Sequence, residues 1–212
     1  MTYAYVIKKI ETSRLEYLSV INKKDFQIHY PYLWAIGNLD ILEMNLLGFF
    51  CSVKCPGSVI LKTYDLAREL RDADIAVISG FHSPIEKDCL DLLLKGTQPV
   101  AICPARGIEN MRIPKAWQRA LAENRLLILS AFEPKDRRPT IKFAEQRNKF
   151  VAYLANKIFV AHASEASQIE RFSAEMIQLD KQFHTFNIKE NDQISELCVI
   201  KVSISALIAD FK

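Results

Sequence analysis

From residue 46 onward, short apolar runs without internal alternation take turns with longer stretches whose apolar residues recur at helical spacing. Residues 46–51 precede 58–73, 75–79 precede 84–94, and 100–103 precede 114–122. The same order continues with 126–130 before 140–155 and 158–162 before 167–179. Runs of this length without a polar face suit parallel strands covered on both sides, and the stretches between them suit amphipathic helices. The repeated unit is therefore βα, with too few repeats for an eight-stranded barrel. An α/β fold is predicted: a Rossmann-like, doubly wound, mainly parallel sheet with helices on both faces. Pro84 and Pro114 stand where a first-turn proline costs no hydrogen bond, and Ser83 and Ser167 stand where a hydroxyl caps a helix.

The pattern also divides the chain. Residues 1–45 are expected to be a lead-in packed on the core, with a helix over 12–23 and a strand over 32–36. Residues 46–187 form the Rossmann-like core, ending in a strand over 183–186. A polar linker over 187–193 then opens a tail, 188–212, as a docking or dimer element. In that tail Val199, Lys201, Ser203 and Ser205 alternate as a strand would, whereas Leu197, Ile200, Ile204, Leu207 and Phe211 suit one face of a helix.

At 212 residues, 50% of them hydrophobic and 25% charged, the chain can bury a full core. No apolar run approaches the about 18 residues that span a bilayer, and the first residues lack the apolar core and cleavage site of a signal peptide. A cytoplasmic protein without membrane contact is expected. The 5 cysteines, Cys51, Cys55, Cys89, Cys103 and Cys198, are odd in number and lack CxxC spacing, so they read as reduced thiols. A net charge of +3 does not by itself announce a nucleic-acid partner, so any such case rests on local clustering.

Ligands of open parallel sheets bind beyond the carboxyl ends of the strands. After the first run, Ser52, Lys54 and Gly57 lie in a small-residue turn that suits a phosphate, although it is neither a dinucleotide fingerprint nor a P-loop. After the second, Ser79, Gly80, His82 and Ser83 form another glycine turn opening a helix, a second anion cradle. His82 alone, without a carboxylate partner, is not assigned a catalytic role. Arg106 follows the third run. Arg137, Arg138, Lys142, Arg147, Asn148 and Lys149 form the densest positive cluster, several of them able to share one helix face, with Arg147 offering a fork for phosphate and Asn148 an amide for a base edge. Phe132 and Phe143 nearby are candidates to stack a base. Ser164 follows the fifth run. The usual zinc, serine and cysteine constellations are missing, so no catalytic residue, metal or cofactor is assigned.

Taken in order, these segments resemble the DNA-processing protein A (Smf) family, part of the Rossmann-like SLOG group of nucleotide-sensing domains. The similarity runs from about residue 30 to residue 187. Tyr32 to Asp40 resembles the family's lead-in, and Ile78-Ser79-Gly80 with Ile85 and Glu86 resembles its SGxAxGID loop. Leu127 to Ser130, Phe143 and Arg147-Asn148 resemble the segment ending in RNR. The resemblance implies an extended Rossmann fold, single-stranded DNA binding through a basic pocket, and frequent dimerisation. The family's GSR stands here as Cys51-Ser52-Val53, with Lys54 supplying part of the lost charge, and its SGSxxTA loop is replaced by Ser164 to Gln168.

Three readings compete. The first is a non-catalytic binder of single-stranded DNA, holding phosphates with Lys54, Arg106, Arg138 and Arg147. The second is a sensor of a small nucleotide held by Ser52, Ser79, Gly80 and Ser164. The third is a glycosidic hydrolase using Glu86 or Glu165, for which no paired acid and base can be named. A homodimer is a further expectation.

Overall fold

The computed structural model describes residues 5–15, 23–177, 181–195 and 199–211. Among these residues a single nine-stranded sheet organises the chain. Its strands are β1 (Lys8–Glu11), β2 (Tyr32–Gly37), β3 (Leu46–Cys51), β4 (Ala76–Ser79), β5 (Val100–Ile102), β6 (Leu126–Ser130), β7 (Lys157–His162), β8 (Phe183–Phe186) and β9 (Ile200–Val202). The order across the sheet is β1-β2-β6-β5-β4-β3-β7-β8-β9. Pairings from β6 through β9 are parallel, and β1 and β2 add an antiparallel edge beside β6.

Period-two alternation along each strand builds two cores. On β3, Leu46 and Phe50 face one layer while Leu47, Phe49 and Cys51 face the other. The first layer is closed by α1 (Lys23–His29), α5 (Ile141–Leu154) and α6 (Gln168–Ile177), through Phe26, Phe150, Val151 and Phe172. The second is closed by α2 (Gly57–Asp72), α3 (Pro84–Leu93), α4 (Lys115–Ala122) and α8 (Ile204–Phe211), through Leu66, Leu90, Leu121 and Leu207. Helices cover both faces, so the sheet is doubly wound. Ser83 caps α3 in a full capping box with Pro84 in the first turn, and Thr140 accepts from the Phe143 N–H at 3.1 Å to start α5.

Two local expectations change. Residues 12–14 form one 3-10 turn, residues 16–22 lie outside the described residues, and a helix runs over Lys23–His29 instead. The polar stretch after β8 is not a free linker. It holds a 3-10 turn and α7 (Asp192–Ser195), and Asn191 is buried, donating to the Ala161 carbonyl at 2.9 Å and to Thr185 Oγ1 at 2.7 Å. A polar residue inside is stable because its amide is satisfied there. The tail is strand and helix in succession: β9 extends the sheet beside β8, then α8 packs Leu207 onto the core. Leu179, Leu197 and Cys198 lie outside the described residues.

The topology fixes where a ligand can enter. The chain leaves β3 toward β4, β5 and β6, then crosses through α5 to β7 on β3's other side. At such a reversal the loops beyond the strand ends diverge and leave a crevice. The register between β3 and β7 also shifts at Phe50 and Cys51, at the mouth of that crevice.

Candidate functional site

A cleft of about 560 Å³ opens at this reversal. It is walled by the loop after β3, the entry to α3, the first turns of α5 and the loop from β7 into α6. Ser52 joins the two strand loops, since its Oγ donates to Ser167 Oγ at 3.1 Å and accepts from the Ser164 N–H at 3.1 Å. Ser167 in turn caps α6, accepting from the Glu170 N–H at 3.1 Å. One residue of the cleft lining, Ala166, holds a positive φ of 54° without being glycine, and the buried Phe81, next in the chain to the lining residue His82, holds one of 45°. Such backbone strain is concentrated at binding sites.

Arg147 forms the floor. It is 5% exposed, and its Nε donates to Asn148 Oδ1 at 2.9 Å while Nη1 donates to the Cys103 carbonyl at 3.3 Å. Among the described residues no carboxylate makes an ion pair with it. Burial pulls its pKa down, and the more distant Glu86 charge partly restores it. Gly80 lies beneath the guanidinium, where a Cβ would fall 1.3 Å from Nη1, so the site needs glycine at that position for space. Because Asn148 Oδ1 is taken by Arg147, the Asn148 amide turns its N–H donors elsewhere. The floor is rich in donors and poor in acceptors.

The second anion cradle of the sequence is already filled. Glu86 Oε2 accepts from the N–H groups of His82 at 2.7 Å and Ser83 at 3.1 Å, and Oε1 accepts from the Cys51 N–H at 2.9 Å. The protein's own carboxylate sits where a phosphate was expected. Both carboxylate oxygens of Glu86 are thus engaged by backbone N–H groups. His82, exposed at the wall, is pushed below the ordinary histidine range by desolvation first and by Arg147 and Lys87 next.

Of the residues singled out in the sequence, Ser52, Lys54, His82, Ser83, Arg147, Asn148 and Ser164 line this one cleft. The others stand apart from its lining. Gly57 opens α2, and Ser79 is buried with its Oγ accepting from the Phe81 N–H at 3.2 Å. Arg106 borders the cleft only through its neighbour Ala105, its carbonyl accepting from Ser130 Oγ at 2.8 Å. Arg138 is exposed just ahead of Pro139 and Thr140, which do line it. The basic cluster does not form one face. Arg137 pairs with Glu109 at 3.1 Å, Lys149 with Glu175 at 2.6 Å, and Arg147 points inward. Phe132 and Phe143 pack on each other at 4.5 Å between centroids, which accounts for both rings without a base. Sequence reasoning missed the apolar lips, Val53 at 67% and Ile141 at 71% exposure, on opposite walls. The signal for Ile141 was present in the Thr140 cap that starts its helix. Among the described residues no group of three or more His, Cys, Asp or Glu side chains can hold a metal ion, and no helix is long and apolar enough to cross a membrane.

Known proteins agree with this architecture. A solved DNA processing protein A from Streptococcus pneumoniae matches with a TM-score of 0.76 at 19% identity, over 100% of this chain and 76% of that one. The protein of the same name from Helicobacter pylori, described for its single-stranded DNA binding mode, matches with a TM-score of 0.75 at 18% identity, over 99% and 97% of the two chains. A molybdenum cofactor carrier protein from Chlamydomonas reinhardtii shares the fold more loosely, with a TM-score of 0.54 at 8% identity over 78% of this chain and 94% of that one. A search of curated proteins finds no match. The family model described as DNA recombination-mediator protein A matches residues 16–170, most of the sheet and every wall of the cleft up to the start of α6, and the chain belongs to that family.

Proposed function

We propose that the chain binds single-stranded DNA without catalysing a reaction, drawing the strand across the cleft with a phosphate or base acceptor above Arg147. The observation that carries this reading is the buried guanidinium that opens on a cleft and has no carboxylate in ion-pair contact. A buried charge is costly unless it is compensated, and neutral carbonyls compensate it only in part. An anionic ligand completes it. Lys54 at the mouth supplies an exposed second charge, and Val53 and Ile141 give a base an apolar place to rest. The H. pylori relative's single-stranded DNA binding and the shared family support the same assignment.

Fluorescence anisotropy of a labelled oligonucleotide at several salt concentrations tests it. If about three phosphates are engaged, log affinity falls against log salt with a slope of about −2. Affinity that is independent of salt, or unchanged in Arg147→Ala, refutes the reading. A second reading, a small nucleotide as the resident ligand, is favoured by one feature: the cleft volume of about 560 Å³ is that of a small-molecule pocket. A nucleotide that raises the melting temperature and competes with the oligonucleotide would support it.

A further inference from the structure

The hydroxyls that cap the helices around the cleft already accept hydrogen bonds from the backbone. Ser83 Oγ accepts from the Glu86 N–H at 3.2 Å, Thr140 Oγ1 from the Phe143 N–H at 3.1 Å, and Ser167 Oγ from the Glu170 N–H at 3.1 Å. Ser52 Oγ accepts from the Ser164 N–H, and both Glu86 oxygens accept from backbone N–H groups. Glu165, the other carboxylate of the lining, is exposed. On the floor the Asn148 amide has a fixed orientation, because Arg147 Nε can only donate and therefore faces Oδ1, at 2.9 Å. With Nε and Nη1 taken, Arg147 Nη2 and Asn148 Nδ2 bond to nothing among the described residues. Both side chains are 5% exposed, yet the side-chain nitrogens sealed in without a partner among the described residues are Arg125 Nη1 and His184 Nδ1. The two floor nitrogens are thus donors without a partner, on residues that line the cleft.

Granted that the chain binds single-stranded DNA, we propose that Arg147 and Asn148 read a base by its oxygen, taking thymine and guanine ahead of cytosine and adenine. The lips select the part of the strand that enters. Val53 and Ile141, apolar and exposed on opposite walls, match the two faces of a base, and the exposed Lys54 meets a phosphate left in solvent at the mouth. A base that enters with its sugar outside leads with the edge remote from the glycosidic bond. On that edge guanine shows O6 and N7 and thymine shows O4, all acceptors, whereas cytosine shows its N4 amino group and adenine its N6 amino group beside N7. An amino group brought to Nδ2 and Nη2 sets donor against donor and leaves desolvated N–H groups unpaired.

Competition against labelled oligo(dT) by unlabelled oligo(dT) and oligo(dC) tests this at neutral pH and one salt concentration, because strands of equal length match in phosphate charge. Oligo(dC) should compete at least about fivefold more weakly. Asn148→Asp keeps an oxygen toward Arg147 Nε and puts a second one where Nδ2 stood, so the ratio should fall to one or invert in favour of oligo(dC). Asn148→Ala, which only removes the donor, should bring the ratio toward one. A residue that merely supports the fold would weaken both strands alike. Equal competition by the two strands in the parent overturns the proposal whatever the variants do, and so does a preference that survives Asn148→Asp unchanged. If no oligonucleotide binds, the DNA-binding reading fails by itself, and a thermal-shift titration with dTMP and dCMP decides the present one. Stabilisation by dTMP at lower concentration than by dCMP supports it; equal stabilisation, or none, overturns it.

Discussion

Replacing Gly80 with alanine tests the floor of the cleft. The added Cβ falls 1.3 Å from Arg147 Nη1, and the glycine's φ is not in the left-handed region, so the backbone accepts alanine and the whole cost is steric. Reaching ordinary contact requires the guanidinium to retreat by about 2 Å. That breaks the 3.3 Å bond from Nη1 to the Cys103 carbonyl and strains the 2.9 Å bond from Nε to Asn148. Overpacking costs about 1–3 kcal/mol and loss of a charged hydrogen bond about 1.5–3 kcal/mol, so the variant should lose roughly 3–5 kcal/mol. Gly57→Ala is the control. Nothing lies within 4 Å of a Cβ there, and the helical position should leave stability unchanged or raise it by up to about 1 kcal/mol. Urea unfolding of both variants, with Arg147→Lys and the double variant, gives the coupling directly, because lysine lacks Nη1, the nearest clashing atom, and its unforked end can turn aside. Gly80→Ala should weaken oligonucleotide binding and be partly rescued in stability by Arg147→Lys. A Gly80→Ala protein within about 0.5 kcal/mol of the parent, or one whose loss simply adds to that of Arg147→Lys, would refute the claim that glycine is needed to seat the arginine.

Glu86→Gln keeps the shape but sets an amide N–H against backbone donors from Cys51, His82 or Ser83; calorimetry should show a loss of about 2–4 kcal/mol. Lys54→Ala, exposed at the mouth, should leave the melting temperature unchanged while reducing the salt slope of oligonucleotide binding by about 0.7, the share of one phosphate on a single strand. Lys181 is buried, donating to the carbonyls of Tyr153 at 3.3 Å and Ala155 at 2.6 Å, and burial lowers its pKa to about 8 from 10.5. Between those values the unfolded chain binds more protons than the folded one, so this residue makes stability rise with pH. The parent's stability relative to Lys181→Met should therefore climb between pH 8 and 10.5, by at most about 1.4 kcal/mol per unit, and a flat difference would exclude the shift.

The sheet was legible because strand burial leaves an unmistakable pattern. Leu46–Cys51 and Leu126–Ser130 are buried along their whole length, and their sequences contain nothing that a solvent-facing strand would show. The edges were harder for the same reason in reverse. β9 is only partly covered, with Ile200 at 47% exposure, and its alternation competes with the apolar face of α8 directly after it. Three residues of strand followed by two turns of helix satisfy both patterns at once, and local periodicity cannot separate them. Asn191 was read as linker because polarity usually marks solvent. Its partners His162, Ala161 and Thr185 come from other strands, where the sequence order hides them.

The cleft raises a different question, which is who occupies a set of exposed N–H groups. The turn from Ser79 to Glu86 offers the backbone N–H groups at which the sequence led us to expect a phosphate, but its spacing also puts a glutamate at the third position of the following helix. A capping-box carboxylate at that distance competes with any ligand as an intramolecular partner, and here it also reaches across to the Cys51 N–H. The loop is thus held by its own carboxylate, which lines the cleft together with Arg147. The group proposed to meet an incoming anion is the guanidinium, which the sequence placed on a helix surface because Arg147 sits among other basic residues. Its inward orientation follows from the gap left at Gly80, on a strand end far away in the chain. The pairing of a missing side chain at Gly80 with a long one at Arg147 is therefore what makes the site, and Gly80→Ala separates this account from one in which the glycine merely turns the loop.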